Sequence, residues 1–197
     1  MGILKILGIL VAAILFAFVW PRKASAHCDT MEGPTVADGK KALETGNVNY
    51  AAKWISPEYD QELQKVFDLA VKVRKLNMEA QELADMYFLE TLVRLHRLGE
   101  GVGYTGIKPY GTPIDTKIAA ADKSIAVGNL TPLEGMVPSE QMAELKERFA
   151  KVIALKDFDS NDVAAGRAYI SAYVSFFKFA EGEEHEHQHG HTGQHQH

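Results

Sequence analysis

Apolar residues recur at three- and four-residue spacing along most of the chain, and no stretch alternates with the two-residue rhythm of a strand. Thr35 is placed to cap a short helix that stops before Gly46, a glycine suited to a left-handed C-terminal position. Ser56-Pro57 reads as an N-cap followed by proline in the first helical position, and Leu63, Val66, Phe67, Ala70 and Val71 follow at helical spacing. Asn77 then caps a third helix running to about Leu98, which Gly99 ends. The same order returns further on: a helix to Val127 before Gly128, one over about Ser139–Leu155, and one from Asp159 or Ser160 to about Ala180.

The return has a fixed offset of 82 residues without gaps. Lys41, Gly46, Asn47, Glu58, Glu62, Leu63, Phe67 and Tyr87 recur as Lys123, Gly128, Asn129, Glu140, Glu144, Leu145, Phe149 and Tyr169. Intervening pairs such as Leu43/Ile125, Val71/Ile153 and Leu92/Val174 are apolar in both halves. The expected fold is therefore all-α, a helical bundle of two tandem, duplicated three-helix halves over about 34–98 and 116–180. Two long helical hairpins would bury their apolar faces together, with two short helices alongside. Tyr87 and Tyr169 are expected to pack in the core at equivalent positions. The segment 99–115, with five Gly and two Pro, reads as a linker across one end of the bundle.

Residues 1–26 stand apart from this pattern. Lys5, the apolar run from Ile6 to Trp20 and the Ala24-Ser25-Ala26 triplet form a secretory leader, with cleavage expected after Ala26. An uncleaved membrane anchor is the alternative, because Arg22 and Lys23 follow the apolar run. The location implied is periplasmic or extracellular, and a membrane is a partner only if the leader stays. Cleavage takes the formal charge from −5 to −8, since Lys5, Arg22 and Lys23 are lost and no acidic residue is. An acidic chain with no basic face is not a nucleic-acid binder; cations are the expected partners.

Cleavage also changes the meaning of the single cysteine. Cys28 has no second cysteine to bridge, yet it would become the second residue of the mature chain, after His27. A free amine, an imidazole, a backbone amide and a thiolate would then lie within two residues. Thiolate with nitrogen donors suits nickel, copper or zinc. Asp29, Met31 and Glu32 are weaker candidates beside them. At the other end, His185, His187, His189, His191, His195 and His197 alternate with Glu, Gln and Gly in a tail, 181–197, that has no apolar residue to pack. Such a tail captures transition metals with little selectivity.

The start His27-Cys28-Asp29-Thr30-Met31-Glu32-Gly33 resembles the nickel hook of nickel-containing superoxide dismutases, which begins His-Cys-Asp-x-x-Cys-Gly. The resemblance implies that His27 gives amine and imidazole, and Cys28 amide and thiolate, within a helical-bundle protein. Glu32 stands where that family has its second thiolate, which removes the group that brings nickel within reach of superoxide chemistry. More broadly, the runs His27–Pro34, Ala42–Val48 and Glu82–Phe88 resemble an exported bacterial family of unknown function.

His96 is the one histidine inside the helical domain apart from His27. It aligns with Lys178 of the second half, as Asp85 does with Arg167, so this polar set belongs to the first half alone. About 16 Å of helix rise separates Asp85 from His96, too far for one ion. His96 is a weaker metal candidate; a satisfied bundle histidine is the plainer expectation. Serine-triad, zinc-protease, P-loop and dinucleotide motifs are not evident. The sequence thus points to an exported, metal-binding helical protein, leaning away from an enzyme. A redox metalloenzyme of superoxide-dismutase type and a metal-free interaction bundle are the alternatives.

Overall fold

The computed structural model describes residues 26–182. The expected leader, up to Ser25, and the histidines of the tail lie outside the described residues. Seven α-helices follow in order: α1 (Pro34–Thr45), α2 (Asn49–Ala52), α3 (Asp60–Val73), α4 (Met78–Gly99), α5 (Thr116–Val127), α6 (Met142–Leu155) and α7 (Val163–Glu181). Single 3-10 turns at Ala26–Asp29, Pro57–Tyr59, Thr131–Leu133 and Ser139–Gln141 connect them. Among the described residues there is no strand, and the one backbone bridge joins Thr30 to Lys108. The all-α expectation is met.

Helix ends follow local chemistry in most places. Gly46 and Gly128 close α1 and α5 in the left-handed region, at φ of 70° and 74°. The Asn77 carboxamide accepts from Ala80 N at 2.7 Å and opens α4. Three ends differ from expectation. Gly33 is the N-cap of α1 with Pro34 in its first turn, so Thr35 lies inside the helix with its side chain buried. Ser56 precedes a 3-10 turn and makes no side-chain cap, so α3 begins only at Asp60. The Asp159 side chain accepts from Asn161 N at 2.9 Å, a local turn that delays α7 until Asp162 caps it.

The two halves share element ends at the offset of 82: α1 with α5, and α3 with α6, over their full lengths. The packing pairs match as well, α1 and α3 against α4, α5 and α6 against α7. This recurrence by itself does not show that one half was copied from the other. The closest helix pairs all lie within a half, and the two halves pack as a helical bundle around one shared core. Trp54 sets its ring edge-on against Tyr173 at 6.0 Å, and Arg167 of α7 donates to the carbonyls of Ala52 and Ile55 and to Asp60. Phe88, Leu92, Phe176 and Phe177 are fully buried in the common core. Tyr169 packs against that core, but Tyr87 is 54% exposed, so only one of the two equivalent tyrosines is a core residue. Among the described residues no helix is long and apolar enough to cross a membrane.

Candidate metal centre

The chain ahead of α1 is folded inward. Thr30 caps the first turn by donating its hydroxyl to His27 O at 3.2 Å, and Gly33 N donates to Thr30 O at 2.9 Å. Gly33 has to be glycine for this turn to close: a Cβ there would lie 2.2 Å from His27 O. The segment 99–115 then straps the turn in place. Lys108 N donates to Asp29 O at 2.7 Å and Met31 N to Lys108 O at 2.9 Å. Gly111 N donates to Glu32, and Lys40 ties Met31 O to the Tyr110 hydroxyl. The expected linker is thus the wall that holds the His27-Cys28 turn inside the protein.

His27, Cys28 and Asp29 are all buried, at 6%, 2% and 6% exposure. His27 Nε2 lies 2.8 Å from Asp122 Oδ2 on α5, and the Tyr173 hydroxyl of α7 donates to Asp122 Oδ1 at 2.8 Å. With Nε2 facing a carboxylate, the neutral ring carries its lone pair on Nδ1, which is buried without a hydrogen-bond partner. The Phe177 ring meets this imidazole edge-on, centroids 6.4 Å apart.

Burial pushes the Cys28 thiol far above its ordinary range, and the Glu100, Asp29 and Asp122 carboxylates push in the same direction. The Thr35 hydroxyl favours the thiolate and has no other partner. Asp29 is raised to about 6 by burial, against the pull of Arg97, whose Nε lies 3.3 Å from Asp29 Oδ2. Burial also works to raise Glu100, but His96, Lys178 and Arg97 outweigh it and hold that carboxyl below its usual value. Arg97 Nη1 reaches Glu100 Oε2 at 2.7 Å, and Lys178 Nζ reaches Oε1 at 3.1 Å.

On the far side, His96 is 4% exposed on α4. Its Nδ1 lies 2.8 Å from Trp54 O; a carbonyl only accepts, so Nδ1 carries the proton and Nε2 the lone pair. Nε2 is buried with no hydrogen-bond partner and stands 3.8 Å from Glu100 Oε2. Burial lowers the pKa of this ring, although Glu100 and the Trp54 carbonyl favour the charged form. His27 Nδ1, Asp29 Oδ1 and His96 Nε2 are buried polar atoms without a hydrogen bond, and the Arg97–Glu100 pair stands between Asp29 and His96. Each such atom costs about 1–3 kcal/mol, so their concentration at one place asks for a reason.

Among the described residues, no three or more His, Cys, Asp and Glu side chains are grouped so as to hold a metal ion. The expected site residues fall into three sets. His27, Cys28, Asp29 and His96 are brought into one buried region; Met31 is half-buried, and Glu32 is exposed and bound to Gly111. The six tail histidines lie outside the described residues. Sequence reasoning missed Asp122, Glu100, Arg97, Tyr173 and the role of Thr35. One signal was present: at the 82-residue offset Asp122 faces Lys40, Glu100 faces Gly182 and Tyr173 faces Thr91, so these positions break the repeat. A cleft of about 410 Å³, bordered by Lys41, Lys53 and Lys156, reaches Trp54 and Tyr173, the residues that hold His96 and Asp122.

Fold and site together define a two-half helical protein with a buried His27-Cys28 turn strapped by its central loop. Residues 32–179 match the model of a family of unknown function (DUF6448), and the chain belongs to that family. No curated protein and no solved structure matches it.

Proposed function

We propose that this is an exported protein that binds one transition-metal ion, nickel, copper or zinc, through His27 and Cys28 after cleavage behind Ala26. The observation that carries the reading is the orientation of the His27 ring. Asp122 engages Nε2 and leaves Nδ1 buried and unpartnered. Nδ1 is the nitrogen that closes a six-membered chelate ring with the amine of the same residue. The Cys28 amide and thiolate complete fused rings, so two residues supply four donors and no cluster of three side chains is required. An imidazole held by a carboxylate through its other nitrogen is also the usual support of a histidine ligand.

The thiol environment fits the same reading. A buried thiol among three carboxylates stays protonated until a cation replaces its proton, so binding releases a proton and tightens as pH rises. The tail histidines would collect ions at low selectivity and pass them to the buried site. Redox turnover is left out of the proposal, because Glu32 is directed to the strap rather than replacing a second thiolate.

Titration of the processed full chain with nickel(II), followed by thiolate-to-nickel charge-transfer absorption, tests this. The expected result is a band that saturates at one equivalent and is lost in Cys28→Ser. A parent chain that develops no such band contradicts the proposal.

A further inference from the structure

We propose that the cleft of about 410 Å³ between the two halves binds a small organic anion with a planar aromatic body, of the aromatic carboxylate type. The cleft opens where α1 and α2 of the first half face α7 and the loop ahead of it in the second. Sites for small ligands have volumes of about 300–1,000 Å³ and aromatic walls carrying a few placed polar groups. This cleft has both.

Its charge runs against that of the chain. The protein carries a formal net charge of −5, yet Lys41, Lys53 and Lys156 border the cleft against one carboxylate, Asp38. That carboxylate is already satisfied: Lys53 Nζ lies 3.0 Å from it, and Trp54 Nε1 donates to it at 2.7 Å. Lys41 and Lys156 have no carboxylate partner among the described residues, and both are exposed. Three lysines less one aspartate leave two positive charges for a ligand. Asp157 and Asp159 flank Phe158 in the sequence but do not border the cleft.

Exposed lysines alone would only be solvated; the walls give them a context. Lys41 Nζ lies over the Tyr50 ring, 4.3 Å from its centroid, and Lys53 Nζ over Phe158 at 5.2 Å. A ligand whose anionic group meets an ammonium therefore has aromatic surface beside it. Tyr169 extends that surface, with its ring 5.5 Å from Phe158 and 6.2 Å from Tyr173 between centroids. The Tyr169 and Ser160 hydroxyls border the cleft without a hydrogen-bond partner among the described residues. Burial, with Asp122 and Asp38, raises the pKa of Tyr169, so its hydroxyl stays a donor. Gly166 lets the wall pack: a Cβ there would lie 3.0 Å from Lys53 Cβ and 3.1 Å from the Phe158 ring. The set occurs once in the repeat, since Asp38, Tyr50, Lys53 and Tyr173 align with Ala120, Pro132, Gly135 and Thr91.

The test follows the Trp54 indole N–H by ¹H–¹⁵N NMR in the natively exported chain carrying Trp20→Phe, which leaves one tryptophan. The titrants are naphthoate, cyclohexanecarboxylate (the charge without an aromatic face), naphthalenemethanol (the ring without a charge) and inorganic phosphate. Naphthoate should shift the Trp54 resonance, saturate at one equivalent, and bind at least about tenfold tighter than each of the other three. None of these groups is a proposed metal donor, so the outcome is separate from the reading of His27 and Cys28. Lys41→Gln together with Lys156→Gln should weaken naphthoate about fivefold and leave the helical circular dichroism unchanged. An unmoved Trp54 resonance, equal binding of any control titrant, or parent-like naphthoate binding in the double variant overturns the inference.

Discussion

His27 and Asp122 are joined across the protein, Nε2 to Oδ2 at 2.8 Å, so that the terminal turn is anchored to α5 by its imidazole. The same carboxylate accepts from Tyr173, and through it α7 shares the load. The His27–Asp29 turn is therefore a structural part of the core. The anchoring also fixes which nitrogen of His27 is left for a ligand, and this ties packing to chemistry.

Asp122→Ala removes both contacts and leaves the Tyr173 hydroxyl and His27 Nε2 buried without a partner. The expected loss is about 2–3 kcal/mol of stability in urea denaturation, since bonds to a charged acceptor are worth about 1.5–3 kcal/mol. Metal affinity should fall by about 10- to 100-fold, the usual effect of removing a ligand's supporting carboxylate. Parent-like affinity in a folded variant would separate Asp122 from the site.

Gly33→Ala drives a Cβ into the His27 carbonyl, a backbone atom that cannot move without opening the turn. Cys28 in the parent is buried and its thiolate disfavoured, so a thiol reagent at pH 8 should react about a hundredfold or more slowly than with a free thiol. In Gly33→Ala that protection should largely disappear while the helical circular dichroism is kept. Equal rates in both chains would show that Gly33 does not hold the turn.

Asp29 gives the protein a pH dependence of definite sign. Its carboxyl titrates at about 6 in the fold against an ordinary value of 3.8, so the folded state holds the proton more tightly. Its contribution to stability is full below pH 4 and is lost as pH rises through 6. A carboxyl-carbon NMR titration should place its midpoint near 6, well above the exposed aspartates.

Much of this was legible beforehand, and what was not has physical causes. Helical spacing, Gly46, Gly128 and Asn77 define the helices because those signals are local. The small-residue triplet at 24–26 draws attention to His27 and Cys28 for the same reason. Burial of that pair could not be read, because it depends on the 99–115 strap, whose hold on the turn is made by backbone groups of Lys108 and Gly111. Thr35 looked like a cap because threonine caps helices; the glycine-proline start at 33–34 pre-empts it and turns its hydroxyl toward Cys28. Asp122 and Tyr173 come from α5 and α7 and Glu100 from the C-cap of α4, and only their mismatch in the internal alignment marked them.

Element analysis of the natively exported chain, with the six tail histidines changed to glutamine, tests the central claim most directly. The account predicts about one transition-metal ion per chain, lost when Cys28→Ser is added. A metal-free chain, or metal content unchanged by Cys28→Ser, would contradict it.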